Sequence, residues 1–236
     1  MRINKLALTN FRSYNSLDVT LESGVTTFIG DNGSGKTNIA ESLIYLAFLS
    51  SHRVNNNVPL ISLGHQQAII RAEVQRDDRT LQIDLEINAN KTNRARINGN
   101  PTRSQRDLLG AIQIVYFSPE DLDLVRGEPG NRRDFLDRLL ITRTPRLAGV
   151  ISDYERVIKH RNALLKTRTS AAALVPWNEQ LIKIGAELTT ERILLIDALN
   201  PWVSKTYANL NEVKPAFNSY KSNTEGVNRN LNDNLA

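Results

Sequence analysis

The sequence predicts an α/β fold: a β-rich lobe that carries a loop–helix motif, followed by a helical lobe. Three observations lead there. Runs of alternating apolar and polar residues recur through the first half of the chain. A glycine-rich stretch, residues 30–37, sits between a short apolar run and an apolar segment of helical spacing. From Ser118 onward the apolar residues recur every three or four positions.

Taken in order, residues 3–11 read as an edge strand, and Val25-Thr26-Thr27-Phe28-Ile29 as a short strand ending at Gly30. Residues 38–49, with Ile39, Leu43, Leu46 and Phe48 apolar, read as a buried helix. Ala68, Ile70, Ala72 and Val74 alternate with Ile69, Arg71 and Glu73; Leu81, Ile83, Leu85 and Ile87 alternate with Gln82, Asp84 and Glu86. The second of these strands therefore has one wet face. Asn98-Gly99 is a hairpin turn signal that closes a basic ribbon around Arg94 and Arg96. Residues 112–117 read as a fully buried strand.

Ser118-Pro119-Glu120-Asp121 is a helix start: a cap, a proline in the first turn and acids against the helix dipole. Residues 131–141 follow as an amphipathic helix with Phe135, Leu136, Leu139 and Leu140 inward, and helical spacing continues through Tyr154, Val157, Ile158, Leu164 and Leu165. Residues 167–176 read as a loop. A long helix then carries Leu181, Ile184, Leu188, Leu195 and Leu199 on one stripe and is expected to stop before Pro201. The expected domains are a β-rich lobe over 1–117, a helical lobe over 118–208 and a polar tail over 209–236 with one returning strand near Phe217 to Tyr220.

Composition narrows the function classes. The 236 residues are 40% hydrophobic, enough for a core, and contain no cysteine, which excludes disulfide scaffolds, cysteine zinc sites and thiol catalysis. The net charge is +5, which is compatible with nucleic acid or phosphate partners. No apolar run approaches the ~18 residues of a membrane span, and the N-terminus has no signal-peptide core, so a cytoplasmic protein without membrane contact is expected.

Gly30-Asp31-Asn32-Gly33-Ser34-Gly35-Lys36-Thr37 fits G-x-x-x-x-G-K-[ST] in full. Glycines let the backbone curl so that successive N–H groups face phosphate oxygens at a helix N-terminus. Lys36 supplies a point charge for the β- and γ-phosphates, and the Thr37 hydroxyl is placed to ligate Mg²⁺. The string Ile193-Leu194-Leu195-Ile196-Asp197 has the look of a strand ending in a magnesium-binding acid, but it lies inside a helical stripe with Ala198 following.

Leu8-Thr9-Asn10-Phe11-Arg12-Ser13-Tyr14, followed by the glycine-rich motif and Asn38, resembles the opening of head-domain ATPases of the SMC, Rad50 and RecF kind. The stretch Ser118-Pro119-Glu120-Asp121-Leu122-Asp123-Leu124-Val125-Arg126-Gly127-Glu128-Pro129-Gly130-Asn131-Arg132-Arg133-Asp134-Phe135-Leu136-Asp137 resembles the signature of the RecF family. Ser51-His52-Arg53, the basic string from Lys159 to Lys166, and Trp177 with Leu181, Gly185 and Glu187 continue the likeness over roughly residues 1–205. The resemblance implies a P-loop NTPase head of ABC/SMC type, a mixed β lobe with an appended helical lobe. It implies ATP with Mg²⁺ held by Lys36, Thr37 and the backbone of Asn32 to Gly35, with Arg12 and Ser13 at the family's early nucleotide-touching position. It also implies nucleotide-dependent binding of DNA, single-stranded and at duplex junctions, in replication, DNA repair and the SOS response to DNA damage. The partners implied are RecO and RecR type mediators of recombinase loading and, in the complete protein, a second copy in an ATP-dependent homodimer.

The chain departs from that pattern. The family's later LSxGQ-like signature and strand-end acids are not found; Ile61-Ser62-Leu63-Gly64-His65 reads as a turn, and Tyr116-Phe117-Ser118-Pro119 stands where related heads carry a glutamine. The expectation is therefore a fragment or truncated form that binds nucleotide more readily than it hydrolyses it, with no catalytic residue assigned. The alternative is a head fragment serving only as a structural or partner-binding module. Candidate DNA contacts fall in three clusters: Lys91, Arg94, Arg96 and Arg103; Arg132, Arg133 and Arg138; and Lys159, Arg161, Lys166 and Arg168. Any single arginine reads rather as a solvated or internally paired charge, while for the set as a whole the resemblance implies DNA. Trp177 and Trp202, flanked by apolar residues, read as core rather than as base-stacking platforms.

Overall fold

The computed structural model describes residues 1–54, 56–167 and 170–210. Its backbone contacts divide the chain into two compact units. Unit 1 is Met1–Arg126 with Ile141–Pro145; unit 2 is Gly127–Leu140 and the chain from Arg146 on.

Unit 1 is built on one sheet of six strands: β1 (Arg2–Phe11), β2 (Tyr14–Thr20), β3 (Gln67–Arg76), β4 (Arg79–Asn88), β5 (Arg94–Ile97) and β6 (Asn100–Pro101). They run in the order β2-β1-β3-β4-β5-β6, and every neighbouring pair is antiparallel. The alternation in the sequence becomes two faces. Leu6, Leu8, Ile70, Val74, Ile83, Leu85 and Ile87 are buried on one side. The same apolar cluster takes in Ile39, Tyr45 and Leu46 of α1 (Lys36–Phe48), together with Leu60 and Leu108. Each such side chain contributes roughly 1.5–3 kcal/mol on burial. The other face is polar, and its charges are paired across strands. Arg96 stands opposite Asp84 and Arg94 opposite Glu86. Arg71, opposite Asp84 on the other flank, reaches it at 3.5 Å, and Lys5 bridges to Asp18. The β5–β6 connection is Asn98 and Gly99, both at positive φ (51° and 77°), which gives the tight turn expected of that pair.

Several expectations are corrected. The first strand is not an edge: β2 and β3 flank it on both sides, and β2 is the edge. Neither 25–29 nor 112–117 forms a strand among the described residues: Ile112 is buried and makes one isolated bridge to Leu109, while Ile29 is 91% and Phe117 81% exposed. Their β-branched composition suits a strand, but a strand also needs a neighbouring strand for its backbone groups, and neither segment pairs with one in a ladder among the described residues. The start signal at Ser118 does open a helical turn. Its N–H donates to Asp121 Oδ2 (2.7 Å), and one 3-10 turn (Pro119–Leu122) leads into α2 (Asp123–Arg126).

In unit 2, α3 (Pro129–Arg143) contributes Leu136 and Leu140 to the interior, while Phe135, expected inward, is 40% exposed. Next comes α4 (Leu147–Lys166), and α5 (Ala171–Leu210) runs for 40 residues. The expected loop over 167–176 is thus mostly helix, and Pro201, expected as a stop, lies inside α5 along with Pro176. A proline removes one backbone donor, a loss a long helix can carry locally. Leu147, Ile151, Val157, Leu188 and Leu195 are buried. Arg192, almost fully buried, donates from Nε and Nη2 to both oxygens of Asp137 (2.8 and 2.7 Å). Trp202 is 69% exposed, against the reading of it as core, and Trp177 stacks on His160 with ring centroids 4.9 Å apart. Among the described residues, no helix is long and apolar enough to cross a membrane. The strand expected near Phe217 lies outside the described residues.

Candidate functional site

The glycine-rich stretch forms an exposed loop at the start of α1, and three of its features are dictated by sequence. Gly35 is the helix cap, at φ +98° in the left-handed region. A Cβ placed there would lie 2.8 Å from Tyr14 Oη, 2.9 Å from Ser13 Oγ and 2.9 Å from Tyr14 Cζ, so only glycine fits. Gly33, at φ +84°, has open space around it and is demanded by backbone conformation alone. The Lys36 ammonium folds back over the loop and donates to the carbonyls of Gly30 (2.6 Å) and Asp31 (2.7 Å), with Ser34 Oγ at 3.4 Å. The Ser34 N–H donates to Asp31 O (3.2 Å), closing the turn over Asn32 and Gly33. The Thr37 side chain is exposed in the first turn of α1. The arrangement is a concave backbone, a helix N-terminus and one movable cation, the chemistry of a phosphate cradle.

The corner between β1 and β2 supports this loop. Ser13 Oγ accepts from Asn38 Nδ2 (2.9 Å), and Tyr14 Oη donates to Ser34 O (3.5 Å). Arg12 is committed elsewhere. Its Nε (2.9 Å) and Nη2 (2.5 Å) donate to the two oxygens of Glu41, and Nη1 donates to Pro59 O (2.8 Å). The structure thus gathers Arg12, Ser13 and residues 30–37 around the start of α1, with Ser13 against Gly35 and the Arg12 guanidinium turned to α1.

Glu41 is the residue that sequence reasoning missed. It is fully buried, and Ser51 Oγ (2.5 Å) and Arg53 Nη1 (3.3 Å) also donate to it. Burial works to raise its pKa, but the bonds from Arg12 and Ser51 and the charges of Arg12 and Arg53 outweigh that and hold it below the usual carboxylate range. The available signal was an acid at the spacing of the buried stripe, between Ile39 and Tyr45.

The basic clusters fare differently from one another. Arg94 and Arg96 face acids on β4. Arg132 donates to Gly127 O (3.1 Å), and Arg161 to Asn178 Oδ1 (2.7 Å). Arg168 lies outside the described residues. Asp197 is exposed on α5, as the helical reading of its segment requires. Among the described residues, no group of His, Cys, Asp and Glu is arranged to hold a metal ion.

The AAA ATPase domain family model matches residues 1–232. The DNA replication and repair protein RecF of Streptomyces avermitilis is 48% identical over 220 residues, 89% of this chain and 59% of that protein. That of Paenarthrobacter aurescens is 47% identical over 236 residues, 96% and 59% respectively. The chain thus spans 59% of the length of these curated relatives. A solved structure of the recombination mediator protein RecF with ATP superposes with a TM-score of 0.76 at 25% identity, over 89% of this chain and 58% of that one. A second RecF structure has a TM-score of 0.83 at 24% identity and the same coverage, and shows the shared fold. The chain belongs to the AAA ATPase domain family and, within it, to the RecF proteins.

Proposed function

We propose that this chain is the nucleotide-binding part of a RecF-type DNA repair protein, with ATP held at residues 30–37. The observation that carries the reading is the cradle at Gly35, which a single Cβ would fill, beside a lysine already turned onto the loop. The loop N–H groups of Asn32 to Gly35 and the Lys36 ammonium bind phosphate oxygens, and Lys36 gives up its bonds to the Gly30 and Asp31 carbonyls to do so. The cradle suits magnesium as well: the exposed Thr37 hydroxyl is the group that would hold it, and the ion would supply positive charge against the phosphates. Arg12 and Ser13 belong to the site through the corner that abuts Gly35.

On the same reading the nucleotide acts as a conformational switch for DNA binding at gaps and stalled forks. RecO and RecR type mediators and an ATP-dependent homodimer are the partners proposed for the complete protein. The favoured DNA surface is the second half of α4, where Lys159, Arg161 and Lys166 follow one another with no acid between them. The β4–β5 ribbon is disfavoured because its arginines face acids. Calorimetric titration with Mg-ATP, beside Lys36→Ala, tests the central claim. Saturating heat in the folded wild type and none in the folded variant is expected. A wild type without binding, or a variant with normal affinity, refutes the site.

A further inference from the structure

Resting on the nucleotide reading above, we propose that Glu41 is a positioning residue for the phosphate loop, which it shapes through two arms without touching a ligand. A fully buried carboxylate on an apolar helix face needs compensation, and here four donors supply it: Nε and Nη2 of Arg12, Oγ of Ser51 and Nη1 of Arg53. Each guanidinium carries the contact onward to the loop. The first arm runs through Arg12, which is pinned by Glu41 and by its own bonds to Pro59 O and Leu60 O. Arg12 thereby fixes Ser13 and Tyr14, whose hydroxyls lie within 2.9 Å of where a Gly35 Cβ would be. The second arm runs through Arg53, whose Nη1 is shared between Glu41 and Asn38 Oδ1 (3.2 Å). Asn38 in turn donates to Ser13 Oγ (2.9 Å), so the two arms meet in the first turn of α1.

The charges support the same role. Two guanidinium groups face one carboxylate, so the cluster keeps one positive charge, and the Arg53 side chain, 42% exposed, carries it at the surface. Glu41 thus fixes where the guanidinium groups stand as well as how the corner sits. An apolar residue at position 41 would fill the core and leave both arms unanchored.

The test compares the wild-type chain with Glu41→Gln, Ser51→Ala, Lys36→Ala and Leu85→Ala. Hydrogen exchange of peptides covering residues 30–38 is read without ligand, and Mg-ATP affinity is read by calorimetry. Glu41→Gln should speed exchange in that segment and weaken Mg-ATP binding, each by about tenfold, within the range for members of one ion-pair network. Ser51→Ala, which removes one of the four donors, should move both readings the same way by a smaller factor. Leu85→Ala loosens the sheet core two strands from β1 without removing a donor to Glu41 and should leave exchange in 30–38 as in the wild type, which separates positioning from general loss of stability. Wild-type exchange in both Glu41→Gln and Ser51→Ala, or equal acceleration in Leu85→Ala, overturns the inference. If Glu41→Gln does not fold, Ser51→Ala decides. If the wild type binds no Mg-ATP, or Lys36→Ala binds it normally, the nucleotide reading fails, while the exchange data still decide the role of Glu41 in shaping the loop.

Discussion

Replacing Gly35 by alanine tests whether the loop's shape is set by contact or by backbone conformation alone. Gly33 provides the comparison. Both glycines have positive φ, +98° and +84°, so alanine at either pays the left-handed backbone penalty of about 1–2 kcal/mol. Only at Gly35 does the new Cβ meet other atoms, at 2.8–2.9 Å from Tyr14 and Ser13; Gly33 has nothing within 4 Å. Overlap of that kind adds roughly 1–3 kcal/mol. Thermal melts should therefore place Gly35→Ala below Gly33→Ala by about 2–12 °C. Two of the three crowding atoms belong to Tyr14, so in a Tyr14→Ala background the gap should shrink to a few degrees. Equal melting of the two alanine variants, or a gap that Tyr14→Ala leaves untouched, would refute the corner as the wall of the loop.

Other perturbations read other parts of the molecule. Arg192→Ala leaves Asp137 partly buried without its bidentate partner and should cost unit 2 about 3–5 kcal/mol in a chemical melt. Because folding lowers the Glu41 pKa, the ionised carboxylate stabilises the folded state. That contribution is full above about pH 4.5 and disappears as pH falls further through the folded value, so the gap in melting temperature between wild type and Glu41→Gln should close in acid. Glu155 has the opposite sign. Burial first, and then the nearby Asp134 and Asp137, raise its pKa, so Glu155→Gln should melt no lower than wild type at neutral pH, where the carboxylate is disfavoured. Arg96→Glu, placed opposite Asp84, should destabilise the sheet by up to about 1 kcal/mol, measured by urea unfolding.

What could be read from the sequence was what neighbouring residues decide among themselves. β3, β4 and the Asn98–Gly99 turn follow from alternation and from a two-residue turn signal, and the glycine-rich loop at the start of α1 follows from eight consecutive residues. Sheet order does not have that character. Residues 3–11 show the same pattern whether they lie at an edge or between β2 and β3, because the second neighbour comes from about sixty residues downstream. Residues 25–29 and 113–117 have strand composition, yet composition does not supply ladder partners. Pro201 has the local character of a stop because proline is unfavourable in an isolated helix, while α5 continues to Leu210. Glu41 leaves only a faint trace, one acid on an apolar stripe, and its four donors come from three residues in two segments outside its helix.

The corner shows why such a site resists local reading. Asn10 and Arg12 both hold left-handed backbone, φ 51° and 53°, a conformation that costs a non-glycine residue roughly 1–3 kcal/mol and persists only where surrounding contacts over-determine it. Those contacts arrive from residues 59–62 on one side: the Arg12 N–H donates to Leu60 O, and Ser62 donates from its N–H to Asn10 O and from Oγ to Arg12 O. From the other side comes the Glu41 carboxylate on α1. Strain at two residues, a glycine with no room for a methyl group and a buried ion pair then describe one object, the wall against which residues 30–37 are folded. On the proposed reading the eight-residue motif supplies the groups that face a phosphate, and the wall, drawn from segments up to fifty residues apart, holds them in the curve where they can act together.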